Sequence, residues 1–276
     1  MTTAAVRYDQ LRARLKELGS LLVAYSGGVD STLLAFAGHV ELGDRCLAVL
    51  ASSNTYPENE IVQARALAQA LGFRLLEVET SELADPRFAA NDADRCYYCK
   101  TELFTLLGRV AEVEGVAWVG DGSNADDLAD HRPGRRAAKE LHVVSPLAEV
   151  GMTKADIRQI ARELGLPNWD KPSMACLASR FPYSEPITDE GLERISSAEN
   201  SLRGLGLGQF RVRAHGPIAR VEVAPGELER AWLLRASISP ALRAAGFTYS
   251  TLDLDGYRSG SMNAVLSAEQ RESALP

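Results

Sequence analysis

Residues Ser20–Leu34 read SLLVAYSGGVDSTLL. The apolar run Leu21–Tyr25 has the length of a buried strand, and it stops at Ser26, Gly27, Gly28, Val29, Asp30, Ser31 and Thr32 before an apolar-periodic helix begins. A strand, a glycine turn and a helix N-terminus make an anion site. Gly27 and Gly28 let the backbone approach a ligand closely and take positive φ, while the unpaired N–H groups of the next turn face whatever binds there. Ser26, Ser31 and Thr32 add hydroxyl donors, and Asp30 is placed either to cap the helix or to hold a magnesium ion. The expectation is a phosphate cradle. It is neither the G-x-x-x-x-G-K-[ST] nor the G-x-G-x-x-G kind, for neither pattern occurs in the chain.

Outward from this stretch, strands and helices alternate. Cys46–Ala51 reads as a second buried strand, Pro57–Leu71 as a helix with proline in its first turn, Arg74–Val78 as a strand, Thr101–Glu114 as a helix and Val116–Gly120 as a fourth strand running into GDGSNADD. That order predicts an α/β fold, a parallel sheet wound by helices, with both SGGVDST and GDGSNADD at its carboxyl edge. Asp121, Asn124, Asp126 and Asp127 can there bind magnesium or nucleotide, or cap the next helix. Thr153 is a fitting N-cap for a helix with Ile157, Ile160, Ala161 and Leu164 on its apolar face, ended by Gly165. The following loop, NWDKPSMACLASRFPYSEPIT, is long and aperiodic yet rich in aromatics, which favours an ordered, functional loop. From Thr188 the pattern changes to helix, two strands (Phe210–His215, Ile218–Val223), a helix over Gly226–Arg235 and a strand near Thr248–Leu254. Two domains are expected, 1–185 and a small C-terminal α+β domain over 186–276, the latter completing a substrate site or building an oligomer.

Composition bounds the function. A chain of 276 residues with 46% hydrophobic content can bury a proper core, and a net charge of −7 argues against a protein whose main task is gripping nucleic acid. The N-terminus reads as an amphipathic helix with Leu11, Leu15 and Leu18 on one face, and no apolar run is long enough to span a membrane, so a cytoplasmic protein is expected. In a reducing compartment the four cysteines, 46, 96, 99 and 176, read as ligands, nucleophiles or packing residues rather than disulfides. The histidines at 39, 131, 142 and 215 lack metal-ligand spacing; His215 alone is a candidate substrate contact.

SGGVDST resembles the PP-loop of the N-type ATP pyrophosphatases, which cleave ATP between the α and β phosphates and adenylate an oxygen of the acceptor. Together with PSMACLASRFPY (Pro172–Tyr183), GMTKADIR, FRVRAHGPIARVEV (Phe210–Val223) and LDGYRSGSMN (Leu254–Asn263), it is similar to the LarE family over nearly the whole chain. The resemblance implies an adenine nucleotide alpha hydrolase-like domain and use of ATP and Mg2+. It implies thiolation of a pyridinium dicarboxylate mononucleotide, a small-molecule nucleotide substrate, during synthesis of the nickel-pincer nucleotide of lactate racemase. It also implies a homo-oligomer, a hexamer in some members, built through the C-terminal domain. Ser26, Gly27, Gly28, Asp30, Ser31 and Thr32 are then the ATP residues. Cys176 aligns with the sulfur donor, which single-cysteine members sacrifice to dehydroalanine, with Arg180 and Lys171 near enough to lower a thiol pKa. Arg180, Arg211, Arg213, Arg220 and Glu222 align with contacts to the substrate's phosphate and carboxylates, a solvated strand face being the other reading of the strand residues; Tyr257, Arg258 and Ser259, after the last strand, are placed at the same cleft.

Cys96 and Cys99, in DRCYYCKTELF just before a predicted helix, depart from the single-cysteine pattern. With Cys176 they can hold a [4Fe–4S] cluster whose fourth iron carries an exchangeable sulfide. A zinc site, a redox dithiol and plain surface cysteines are the other readings of the same pair. For the whole chain the competing functions are a PP-loop tRNA thiolase, an amidating adenylyltransferase and a non-catalytic ATP-binding sensor.

Overall fold

The computed structural model describes residues 2–129, 133–172, 175–258 and 261. Helix α1 (Thr3–Leu18) opens the chain, capped by the Thr2 hydroxyl, and buries Leu11, Leu15 and Leu18. Strand β1 (Leu21–Tyr25), helix α2 (Val29–Leu42), strand β2 (Cys46–Ser52), helix α3 (Glu58–Leu71) and strand β3 (Leu75–Glu79) follow. A short helix α4 (Pro86–Ala89), the long α5 (Arg95–Glu114) and strand β4 (Val119–Gly120) complete a parallel sheet ordered β3-β2-β1-β4. Beyond β4, Val144 bridges Gly120 in the same parallel sense and extends the edge.

Both faces of the inner strands are covered, and the strand period of two shows why β1 and Cys46–Ala51 of β2 are apolar throughout. Leu21, Val23, Cys46, Ala48 and Leu50 face one layer with α1, α2, α3 and, later in the chain, residues 154–163. Leu22, Leu47, Val49 and Ala51 face the other, against Leu103, Phe104 and Leu107 of α5.

Two expected boundaries shift. Helix α5 begins at Arg95 rather than Thr101, so Cys96 and Cys99 stand one turn apart on the helix itself instead of ahead of it. The buried Arg95, bonded to Asn91, fixes this early start. The fourth strand is shorter than Val116–Gly120 because the Val116 amide is spent closing α5, donating to the Ala111 carbonyl at 2.9 Å.

After β4 come α6 (Gly134–Glu140), the single turn α7 (Pro146–Glu149) and α8 (Lys154–Glu163). Thr153 and Asp156 form a reciprocal capping box at the start of α8. Ile157, Ile160 and Ala161 are buried as its periodicity requires, whereas Leu164, expected on the same face, lies past the helix end and is 38% exposed.

The C-terminal part contains α9 (Asp189–Gly204), β5 (Phe210–His215), β6 (Ile218–Val223), α10 (Leu228–Leu233), α11 (Arg235–Ala244) and β7 (Tyr249–Leu252). The helix expected over Gly226–Arg235 is α10, and α11 follows it as a second helix. Strand β5 pairs antiparallel with β6, and β7 joins β6 in parallel, giving a mixed sheet. Its core of Leu192, Ile195, Leu202, Val212, Val221 and Leu242 also takes in Leu177, Ala178 and Phe181 from the long loop, and Phe88 of α4. Among the described residues no helix is long and apolar enough to cross a membrane.

Leu107 of α5 is fully buried against the sheet. Leu107→Ala should cost about 2–5 kcal/mol, read from the shift of the urea unfolding midpoint. A loss below about 1 kcal/mol would mean that this layer is loosely packed.

Candidate functional site

The glycine turn after β1 is built on close approach. Gly27 has φ +71°, and a Cβ there would lie 2.7 Å from the Cβ of Ala64 in α3, so side chains are excluded twice over. The serines brace the turn: the Ser26 amide donates to Ser31 Oγ at 3.2 Å, and Ser31 Oγ donates to the Gly28 carbonyl at 3.2 Å. Thr32 is fully buried, and its hydroxyl accepts from Asn168 Nδ2 at 3.0 Å, the same nitrogen donating to the Gly27 carbonyl at 3.0 Å. That bond turns the Gly27 carbonyl inward, away from an incoming anion. Helix α2 has Gly28 at its N-cap and no side chain satisfying its first N–H groups, the arrangement in which a phosphate can do so.

Asp30, in the first turn of α2, does not cap the helix. One carboxylate oxygen pairs with the Lys154 ammonium and the other accepts from Asn124 Nδ2 at 3.3 Å. The loop that delivers Asn124 lies close, for a Cβ on Gly122 would come within 3.0 Å of the Ser31 amide. Its acids serve backbone and hydroxyl groups. Asp121 accepts from the Ser123 amide and from Ser145 Oγ, Asp127 from the Asn124 amide, and Asp126 from the Lys154 amide.

One stretch of chain runs from this turn to the thiols. Asn168 holds the glycine turn, Lys171 pairs with Glu60 of α3 at 2.7 Å, and the Leu177 amide donates to the Thr55 carbonyl after β2 at 2.8 Å. Half-buried Cys176 and Cys99 both pack against the C-terminal core. Burial pushes the Cys99 thiol up, and Cys176, Glu82 and Cys96 add to the rise. Cys96, on the first turn of α5, is exposed, beside Arg95 and within reach of Cys176. Tyr56 is raised well above its ordinary value by burial, with Cys99, Glu82 and Cys176 contributing. The three thiols therefore lie within one another's electrostatic reach. Among the described residues, no three His, Cys, Asp or Glu side chains are grouped as a metal site.

Next to Cys176 stands an arginine network. Arg180 has no exposed surface: Nε and Nη2 fork onto Glu199 at 2.9 and 3.0 Å, and Nη1 donates to the carbonyls of Ala175 and Cys176. Glu199 also accepts the Val212 amide of β5. Arg213 forks onto Glu222 and donates to the Ser179 carbonyl at 2.9 Å. Arg220 bonds Glu222 at 3.1 Å and pairs with Asp253, while Arg211 donates to the Phe210 carbonyl and lies over the Tyr257 ring. Burial, then Arg180, hold the Arg211 guanidinium below its usual value. His215, at the end of β5, is lowered by burial, with Arg220 adding to it.

No family model matches the chain. Among curated proteins, it is 37% identical to the pyridinium-3,5-bisthiocarboxylic acid mononucleotide synthase of Lactiplantibacillus plantarum, over 98% of each chain. The chain belongs to the LarE family. It is also 45% identical to an uncharacterised protein of Synechocystis, over 94% of this chain and 98% of that one. A more distant likeness, 25% over 68% of this chain, is to one component of the glutamine-hydrolysing GMP synthase of Archaeoglobus fulgidus, in keeping with the PP-loop fold.

In this LarE-family chain the structure collects Ser26, Gly27, Gly28, Asp30 and Ser31 at one turn, and Arg180, Arg211, Arg213, Arg220 and Glu222 beside the loop of Cys176. Thr32 stands behind the turn. Arg258 pairs locally with Asp255 at 2.8 Å. Ser259 and His131 lie outside the described residues. Sequence reasoning passed over Lys154, Asn168, Glu82 and Glu199. Of these, Glu199 left a readable signal: a carboxylate on the buried face of α9, in step with Leu192, Ile195 and Leu202.

Two outcomes follow from these environments. Glu199→Ala leaves the Arg180 charge buried and unpaired and should cost about 3–5 kcal/mol in urea unfolding, and Arg180→Met combined with Glu199→Leu should cost less. Because its pKa is raised, half-buried Cys99 holds less thiolate than a free cysteine at any pH between 7 and the ordinary thiol value. Iodoacetamide should therefore label Cys99 slowly at pH 8, with the rate still climbing well above pH 9; labelling as fast as free cysteine would contradict the raised value.

Proposed function

We propose that the protein is an ATP-dependent sulfur transferase that adenylates a carboxylate of pyridinium-3,5-biscarboxylic acid mononucleotide and converts it to a thiocarboxylate. The observation that carries the reading is the single stretch from Asn168 to Arg180. It touches the nucleotide turn at one end, the arginine network at the other, and bears Cys176 between them. Residues 1–185 would activate ATP and residues 186–276 hold the acceptor, the loop of the first packed into the core of the second.

In the first step the acceptor carboxylate attacks the α phosphorus of ATP, the bond to the β-phosphate oxygen breaks, and pyrophosphate leaves. The amides that follow Gly27 and Gly28, with the Ser26 and Ser31 hydroxyls, receive the phosphates at the N-terminus of α2. Asp30 offers the hard oxygen donor that Mg2+ needs alongside phosphate oxygens, and its pairing with an ammonium supports a cation at that position. When bound there, the metal would neutralise charge on the departing pyrophosphate.

Half-buried Arg220 would meet the acceptor's phosphate and carboxylates, with the buried Arg211 and Arg213 lending positive charge from behind it. Glu222 holds two of these guanidiniums in place, which spares the entropy of ordering them on binding. Arg258 is the outermost of the proposed contacts.

In the second step sulfur attacks the acyl carbon and AMP leaves. One source is a [4Fe–4S] cluster that Cys96, Cys99 and Cys176 would hold, the first two a turn apart on α5 and Cys99 packing with Cys176 on one core; it would supply a replaceable sulfide. The second source is Cys176 itself, whose backbone Arg180 holds on the loop between the two sites. There the Cys176 sulfur forms a thioester, a base removes the Cα proton, and the Cβ–S bond breaks with its electron pair on the product thiocarboxylate, leaving dehydroalanine.

We place the protein in the cytoplasm, where thiols stay reduced. We further propose a homo-oligomer formed through the C-terminal part, where Trp232, Leu233 and Tyr249 are at least 60% exposed.

Intact mass of anaerobically prepared protein, before and after incubation with ATP, Mg2+ and the pyridinium dicarboxylate mononucleotide, tests the reading. Thiocarboxylate product should appear together with AMP and pyrophosphate. An unchanged polypeptide mass assigns the sulfur to a renewable source, and loss of one H₂S mapped to Cys176 assigns it to the cysteine. Absence of thiolated product would reject the function.

A further inference from the structure

We infer that the Lys154 ammonium, paired with Asp30, gives up that carboxylate to the metal and moves onto the leaving phosphates when the metal nucleotide binds. Lys154 is then both the metal's competitor and the second cation of adenylation. The inference rests on the adenylation reading above.

Three observations carry it. The Lys154 ammonium is on Asp30, the carboxylate nearest the uncapped N-terminus of α2, and the other Asp30 oxygen is held by Asn124. A metal that takes the Lys154-bound oxygen of Asp30 as a ligand therefore displaces an ammonium. Both partners are reachable, with side chains 30% and 20% exposed, so the exchange needs no unfolding.

The lysine backbone, in contrast, is pinned. Its amide donates to Asp126 at 2.8 Å, and the residue before it closes the capping box of α8. Only the four-carbon stem is left to swing, and its compact ammonium with three rotatable donors suits transfer between a carboxylate and phosphate oxygens.

The same loop that pins the backbone also supplies Asn124 to Asp30. Asp30 thus keeps one fixed neutral donor while its charged partner changes. Pyrophosphate leaves with growing negative charge, and the displaced ammonium is the cation already at hand.

The test compares the wild type with Lys154→Met and Lys154→Arg in the full chain. Mn2+ binding to the protein alone is followed by electron paramagnetic resonance, without nucleotide or acceptor, so that only the competition for Asp30 is read. Pyrophosphate release is measured separately with ATP and the pyridinium dicarboxylate. Removing a partly exposed ion-pair competitor should let Lys154→Met bind Mn2+ about fivefold more tightly than the wild type. Pyrophosphate release should slow about 100-fold, the usual consequence of losing one transition-state donor.

Lys154→Arg, which keeps the charge, should bind Mn2+ as the wild type does and shows that the site stays folded. Unchanged or weaker Mn2+ binding by Lys154→Met would overturn the inference, since a lysine that merely braces Asp30 would weaken metal binding when lost. Undiminished pyrophosphate release by Lys154→Met would overturn its second half. A wild type that releases no pyrophosphate with this acceptor refutes the function reading instead, and the Mn2+ comparison still decides the exchange.

Discussion

Arg180 is a guanidinium with no exposed surface, and the arrangement around it exists to satisfy it. Taking such a charge out of water costs several kcal/mol, about what a well-made bidentate carboxylate pair and further hydrogen bonds can return. Glu199 supplies the fork from α9, and the carbonyls of Ala175 and Cys176 take what is left. Because Glu199 also accepts the Val212 amide, the loop, the helix and the first strand of the small sheet are locked to one another through two side chains. The backbone that carries the Cys176 sulfur is thereby fixed on both sides, by Arg180 and by the Leu177–Thr55 hydrogen bond.

A second constraint sits at the other end of the same stretch. Asn168 holds the Gly27 carbonyl and the Thr32 hydroxyl from below, so the shape of the nucleotide turn depends on a residue 141 positions away in the chain. Nucleotide turn and sulfur loop are therefore set by one continuous segment. Chemistry that joins an adenylate to a sulfur nucleophile needs the two held at a fixed separation, and near-attack placement of this kind is worth several kcal/mol of barrier.

The N-terminal sheet was legible because its rules are local. Strand length, glycine turn and helix start all lie within Ser20–Leu34, and the uniformly apolar β1 and β2 announce burial on both faces. The period-two arginines on β5 were equally visible, though a half-solvated sheet would display the same pattern. What decides between the two is Glu222 on the paired strand and Glu199 on a helix, and only the fold reveals that Arg211 and Arg213 are nearly fully buried. Lys154 and Asn168 gave no signal, since each acts through a partner more than a hundred residues away. The start of α5 was missed for a related reason: Cys, Tyr and Tyr are indifferent helix formers, and the buried Arg95 that fixes the first turn is tied to Asn91, outside the helix.

The packing of Leu177, Ala178 and Phe181 into the C-terminal core has a practical corollary for anyone dividing the molecule. A fragment cut at residue 185 would carry three apolar side chains stripped of their neighbours, and the remaining piece would have a void where they had been. Such halves would be sticky and unstable separately, yet their matching surfaces would draw them together if produced side by side. The chain is thus a candidate for a split protein that reassembles, with recovery of sulfur transfer reporting that the two pieces have met.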